Sequence, residues 1–206
     1  MAEDKLVQDE LTIINEEIDR VAHTLSELSD FSEPDSQPTY PLDINALLTD
    51  LTRIFQETLM LRSNIKAHLK LDASLPSITM DKNRLKQVFI NLIQNAVEAM
   101  PDGGNIYINT RYASNESEAA QKQITSSDRG HVEIIIRDDG PGIPDILTSR
   151  FFESFITSKG AGHAGLGLSI VYNTLNELKG SITCTSDSKI GTSFNIILPI
   201  EKNQEP

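Results

Sequence analysis

The sequence predicts a mixed α/β domain standing behind an N-terminal bundle helix, and three observations support this. Val7, Leu11, Ile14, Ile18, Val21, Leu25 and Leu28 recur at alternating steps of four and three, the a/d seam of a coiled coil or helical bundle. A joint from Glu33 to Pro41 holds Pro34, Pro38 and Pro41, which block continuation of that helix. From Asp43 to Pro199 the apolar pattern then switches repeatedly between helical and strand periods, the mark of a mixed domain.

The elements follow in order. A helix with so narrow a stripe as Val7–Leu28 finds its natural cover in a second chain; folding back as an amphipathic helix onto its own domain is the alternative. Asp43 reads as the N-cap of a helix carrying Ile44, Leu47, Leu48, Leu51, Ile54 and Phe55. Residues Asn64 to Leu71 alternate as a strand, with Ile65, Ala67, Leu69 and Leu71 on one face. Asp81 caps the next helix, whose apolar face includes Leu85, Val88, Phe89, Leu92, Ile93, Ala96 and Val97. Pro101-Asp-Gly-Gly ends it, and Ile106 to Tyr112 reads as a strand. The polar, Ser-rich stretch Ala113–Gly130 is a surface loop. His131–Arg137 is a strand, Gly140–Ala164 is irregular, Leu166–Leu178 is a helix, and Ser181–Ser186 and Thr192–Pro199 form a closing pair of strands.

Composition narrows the function. With 206 residues, 38% hydrophobic and 23% charged, the chain can bury a core and is not a disordered polymer. A net charge of −12 argues against nucleic acid, whose backbone needs a basic footprint. The single Cys184 cannot make an internal disulfide, as expected of a reducing compartment. No run of about 18 apolar residues is present to span a membrane. The start, Met1-Ala-Glu-Asp-Lys, lacks a signal-peptide core. The expectation is a cytoplasmic chain with no direct membrane contact, or the cytoplasmic end of a larger sensor.

Four short stretches together describe a pocket for Mg-ATP: Asn91-Leu-Ile-Gln-Asn95-Ala96, Asp138-Asp-Gly140-Pro-Gly142, Gly165-Leu166-Gly167-Leu168 and Gly191-Thr192-Ser-Phe194. Asn91 and Asn95, four apart on a helix, point the same way, and an amide oxygen on a rigid helix suits Mg²⁺. Asp138 ends a strand, where a carboxylate accepts from an exocyclic amine while glycines admit a flat base; this favours adenine over guanine. Gly165 to Leu168 open a helix whose N–H groups and positive end attract phosphate. Lys159 lies upstream, within reach of a terminal phosphate. Singly, each has an ordinary structural explanation: a capping Asn, a solvated turn Asp, a loop glycine, a surface lysine. As an ordered set they are far more specific.

This set resembles the N, G1, G2 and final glycine boxes of the Bergerat-fold ATPases, the class of gyrase, Hsp90, histidine kinases and MutL. Within it the chain looks most like the catalytic ATP-binding domain of bacterial sensor histidine kinases of the nitrogen-regulation branch, and Phe151-Phe-Glu-Ser-Phe155-Ile-Thr157-Ser-Lys159 resembles that branch's F box. The resemblance covers about Leu42 to Pro199. It implies a two-layer sandwich of a mixed sheet and helices, with an ATP lid at about residues 143–164. It implies Asn95 on Mg²⁺, Asp138 on the adenine amine with Thr192 near the adenine, and Asn91, Gly140, Gly142 and Ile143 among the ATP-binding residues. Gly165, Leu166, Gly167 and Leu168, with Lys159, would hold the phosphates. Asn91 occupies the place where hydrolysing members carry a Glu base. An amide cannot take a proton from water, so phosphate transfer to a protein side chain is favoured over hydrolysis.

Two departures stand out. His163-Ala164 replaces the Gly-Thr often found before Gly-Leu-Gly-Leu, and Ser154 replaces an F-box Pro. None of the four histidines has the acidic residue and nearby Pro expected of a phosphoacceptor. His23 is followed by Thr24-Leu25 and lies off the seam. The resemblance therefore makes residues 1–34 the second dimerisation helix, 35–41 a linker and 42–206 the catalytic domain. The acceptor histidine then lies outside the chain, a homodimer forms through the helix, and a response regulator receiver domain is the downstream partner. An anti-sigma-type serine kinase and a non-catalytic nucleotide-binding module remain alternatives.

Overall fold

The computed structural model describes residues 40–61, 63–113, 130–143, 152 and 167–200. The expected bundle helix of residues 1–34, Lys159, His163, Gly165 and Leu166 lie outside them, as does most of the expected lid.

The chain enters through β1 (Tyr40–Leu42), which pairs antiparallel with β3 (Ile78–Met80) as a small separate sheet. Asp43 then caps α1 (Ile44–Phe55), its Oδ1 accepting the Ala46 N–H at 2.9 Å. Such a cap contributes about 1 kcal/mol. Ile44, Leu47, Leu48, Leu51 and Phe55 form the buried stripe of α1, while Ile54 is 51% exposed. A π-helical turn, Gln56–Met60, finishes the helix and buries Met60.

Asp81 caps α2 (Lys82–Ala99) in the same way, accepting from Asn83 and Arg84 N–H. The whole predicted face of α2 is buried, and Asn91 is buried with it. The main sheet runs in the order β2 (Ile65–Lys70), β4 (Gly104–Ala113), β5 (His131–Asp138), β7 (Gly191–Pro199), β6 (Ser181–Asp187). Only β2 and β4 pair in parallel; the other neighbours are antiparallel.

Burial alternates along the central strands as period two requires. Ile106, Ile108, Val132, Ile134, Ile136, Phe194, Ile196 and Leu198 face inward and join α1, α2 and α3 (Gly167–Glu177) in one core cluster. The result is the expected sandwich, one mixed sheet under a layer of helices. Helix α2 packs against both α3 and β5. Arg84 on α2 also forms an ion pair with Glu177 on α3.

Two local features go beyond the sequence pattern. Leu69, expected on one face of β2 with Ile65 and Ala67, is 38% exposed. Strand β2 is an edge strand, and burial fades along it from Ile65 through Ala67 to Leu69. The β1–β3 pair was not foreseen, because three-residue strands are too short to display a period and Pro41 reads as a joint residue.

Candidate functional site

Strand β5 delivers Asp138 to the end of the sheet, where its carboxylate is buried to 4% exposure. Its Oδ1 accepts from Gly140 N–H at 3.0 Å and Thr192 N–H at 3.2 Å. Among the described residues Oδ2 takes no such bond. Burial raises the pKa of Asp138 above the ordinary carboxylate value. The two N–H bonds oppose that rise, and the neighbouring Asp139 charge adds to it. One carboxylate oxygen is therefore spent on shaping the loop, and the other remains for a partner.

Asp139 has a different fate. Its Oδ1 accepts from Asn105 N–H at 2.7 Å and its Oδ2 from Asn105 Nδ2 at 2.8 Å. Partial burial works against its charge, but the Asn105 bonds outweigh this, and with the Arg137 charge they hold its pKa below the usual value. Of the adjacent aspartates, only Asp138 has an oxygen left to offer.

Glycine is required at two places around Asp138. Gly191 has φ of +93°, and a Cβ there would sit 2.1 Å from the Asp138 carbonyl oxygen. Gly142 has φ of +73°, and a Cβ there would meet the Asp187 carbonyl oxygen at 2.6 Å. Both conformations are in the left-handed region that other residues avoid. These close approaches press the Gly140–Ile143 segment and the β6–β7 turn together beside Asp138.

Thr192 completes that wall. It is buried, and its hydroxyl lies 3.1 Å from Ser186 Oγ. Ser186 Oγ in turn accepts the Ile143 N–H at 2.8 Å. Asp138, Gly140, Gly142, Ile143 and Thr192 are thus brought together as expected from sequence. Ser186 was not foreseen; its only sequence signal is a place opposite Thr192 in a hairpin. Cys184, two residues earlier on the same strand, is half-buried. Burial, and secondarily the Asp138 charge, pushes its thiol up to about 12.

The other half of the site is carried by α2 and α3. Asn91 is 4% exposed, and its Nδ2 has no hydrogen-bond partner among the described residues. A buried donor left in this state costs about 1–3 kcal/mol, so its presence needs a reason outside apo stability. Asn95, one turn on, is half-buried. Gly167 begins α3, and a Cβ there would have no neighbour within 4 Å among the described residues. Leu168, by contrast, packs on the core. From the F-box stretch, Phe152 stacks on Tyr172 of α3, ring centroids 5.2 Å apart.

The set offers an acceptor for a base amine at one end. At the other it offers, among the described residues, an unpaired amide donor and a helix start clear of side chains. That combination fits a nucleotide with its phosphates over α2 and α3. Comparison with known proteins identifies the family. Residues 80–202 match the family model described as histidine kinase-, DNA gyrase B- and HSP90-like ATPase. Sporulation kinase E of Bacillus subtilis (strain 168) is 32% identical over 193 residues, covering 94% of this chain and 24% of its own length. The sensory histidine kinase/phosphatase NtrB of Rhizobium leguminosarum bv. phaseoli is 31% identical over 195 residues, covering 93% of this chain and 49% of its own. The chain therefore spans about a quarter to a half of these relatives. Among solved structures, the catalytic domain of histidine kinase ThkA superposes with a TM-score of 0.63 at 27% identity, covering 80% of this chain and 97% of that one. ThkA in complex with the response regulator TrrA gives 0.69 at 25% identity, covering 94% and 51%. On fold, boxes and relatives alike, the chain belongs to the histidine kinase-, DNA gyrase B- and HSP90-like ATPase family.

Proposed function

We propose that the chain is the Mg-ATP-binding catalytic module of a two-component sensor histidine kinase. It transfers the γ-phosphate to a histidine outside this chain, for relay to a response regulator receiver domain. The observation that carries this reading is Asn91: a buried side chain on α2 whose donor has no partner among the described residues, where water activation would need a carboxylate. An amide there can hold a phosphate oxygen but cannot deprotonate water. Support also comes from relatives named as histidine kinases and from a related kinase solved with its regulator.

In this reading Asp138 Oδ2 accepts the adenine amine, with Thr192 beside it, while the Asn91 donor holds a phosphate oxygen. Among the described residues no group of three or more His, Cys, Asp or Glu gathers to hold a metal. Magnesium would therefore rest on Asn95 and on phosphate oxygens, an arrangement usual for this ion. It would supply charge neutralisation as the phosphoryl group leaves. Catalysis by these residues is alignment rather than acid–base work. Lys159, Gly165 and Leu166 are assigned to the phosphates within a lid of residues 143–164. The domain division places a dimerisation helix at 1–34, a linker at 35–41 and the catalytic domain at 42–206, with homodimers formed through the helix. No helix among the described residues is long and apolar enough to cross a membrane; we assign the module to the cytoplasm.

Incubating the chain with labelled Mg-ATP and an acceptor helix taken from a related kinase tests the proposal. An acid-labile, alkali-stable label on the helix is expected. Acid-stable label would mean a serine kinase, and tight ATP binding with no transfer would mean a binding module.

A further inference from the structure

The nucleotide reading leaves open how the pocket tells one purine from another, and the Ser186 hydroxyl bears on that. Ser186 on β6 stands opposite Thr192 on β7 in the sheet register. A serine hydroxyl has one hydrogen and two lone pairs. One lone pair is taken by the Ile143 N–H at 2.8 Å. The hydrogen then has two candidate acceptors, Thr192 Oγ1 at 3.1 Å and the Gly191 carbonyl at 3.5 Å. Either hydroxyl of the Ser186–Thr192 pair can donate; the arrangement proposed below gives the Ser186 hydrogen to Thr192, the shorter of the two contacts. Thr192, having accepted, keeps its own hydroxyl hydrogen to give away. Meanwhile the Thr192 N–H and the Gly140 N–H both occupy Asp138 Oδ1, leaving Oδ2 as an acceptor.

Resting on the nucleotide reading above, we propose that Ser186 is a specificity-determining positioning residue, which orients the Thr192 hydroxyl as a donor beside the Asp138 acceptor. A donor next to a carboxylate complements a base edge with an amine beside a bare ring nitrogen, as in adenine. Guanine presents the reverse, a carbonyl beside a ring N–H, and meets acceptor with acceptor and donor with donor. Both mismatches leave buried polar groups unpaired, the situation in which hydrogen-bonding sites discriminate best. Without Ser186 the Thr192 hydroxyl is free to turn and accept from the guanine N–H. Half of the discrimination is then lost while the Asp138 half remains.

The test is calorimetric titration of the full chain with Mg-ATP and Mg-GTP. Ser186→Ala is expected to weaken ATP about fivefold, the value of one neutral hydrogen bond, and to lower the ATP:GTP preference about tenfold. Ser186→Thr, which keeps the hydroxyl, should retain the wild-type preference. Thr192→Val, which keeps the shape and loses the donor, should lower the preference as Ser186→Ala does, and it serves if the first variant fails to fold. An unchanged ATP:GTP ratio in Ser186→Ala or Thr192→Val overturns the proposal, even if both affinities fall together, because a merely structural serine would weaken both nucleotides alike. A wild-type chain that binds neither nucleotide would instead sink the nucleotide reading itself.

Discussion

The proposed base end of the site and its proposed phosphate end are built on opposite principles. Around Asp138 most polar groups satisfy one another, with the carboxylate Oδ2 left over: Gly140 and Thr192 donate to Oδ1, and Ile143 donates to Ser186. Around α2 and the start of α3 they do not: among the described residues Asn91 Nδ2 has no partner and a Cβ at Gly167 would meet nothing. The first half is preorganised and close-packed, so it recognises shape without rearranging. The second half is left incomplete, and a ligand's charged oxygens would complete it. Specificity is thereby assigned to the sheet end, and the energetic response to binding to the helices.

The comparison breaks most sharply at Gly191. Replacing it with Ala forces a Cβ against the Asp138 backbone at positive φ. The expected cost is about 3 kcal/mol of stability, read as a lower urea midpoint, with the base pocket lost as well. A near-neutral result would mean the sheet end is looser than its hydrogen bonds imply.

Asp138→Asn comes next. It keeps an oxygen for the loop N–H groups but turns the free acceptor into a donor facing the base amine. ATP affinity should drop about 100-fold by calorimetry, with stability little changed. The wild type carries a related pH signature. The Asp138 pKa is raised by folding, so its ionisation at neutral pH costs stability, and that cost is relieved as pH falls through the window just above the ordinary carboxylate value. Over the same window the acceptor is lost, so adenine-nucleotide affinity should fall while this group's effect on stability improves. Titrations carried down from neutral pH into that window should show this decline in wild type and not in Asp138→Asn.

The phosphate end should respond in the opposite sense. Asn91→Leu removes an unpaired buried donor, so the apo protein should gain about 1 kcal/mol while the Mg-ATP stabilisation shrinks. Paired thermal melts, with and without nucleotide, read both effects. A destabilised apo protein would mean that Asn91 is bonded after all, and the contrast between the two ends would weaken. Smallest of all, Arg84→Ala severs the exposed link between α2 and α3. It should cost less than about 0.5 kcal/mol, a difference that vanishes in high salt.

Much of this was legible before any coordinates. Asp43 and Asp81 announced α1 and α2 because a capping carboxylate and the stripe behind it act within a few residues. Asp138 and Thr192 were readable because their neighbours Gly140 and Gly191 mark a demanding backbone. Ser186 escaped notice because its partners come from a segment more than forty residues away and from the facing strand. The division of labour between Asp138 and Asp139 was equally hidden, since it depends on Asn105 arriving from β4. The exposure of Leu69 was not legible because alternation shows which side a residue faces, not how far the cover extends.

The chain's only sulfhydryl has a practical consequence. With Cys184 pushed up to about 12, only about one molecule in 10⁵ would carry the reactive anion at neutral pH. Peroxide and maleimides should leave the native protein almost untouched and react on denaturation. Labelling at this position would therefore count unfolded molecules, with no engineered tag.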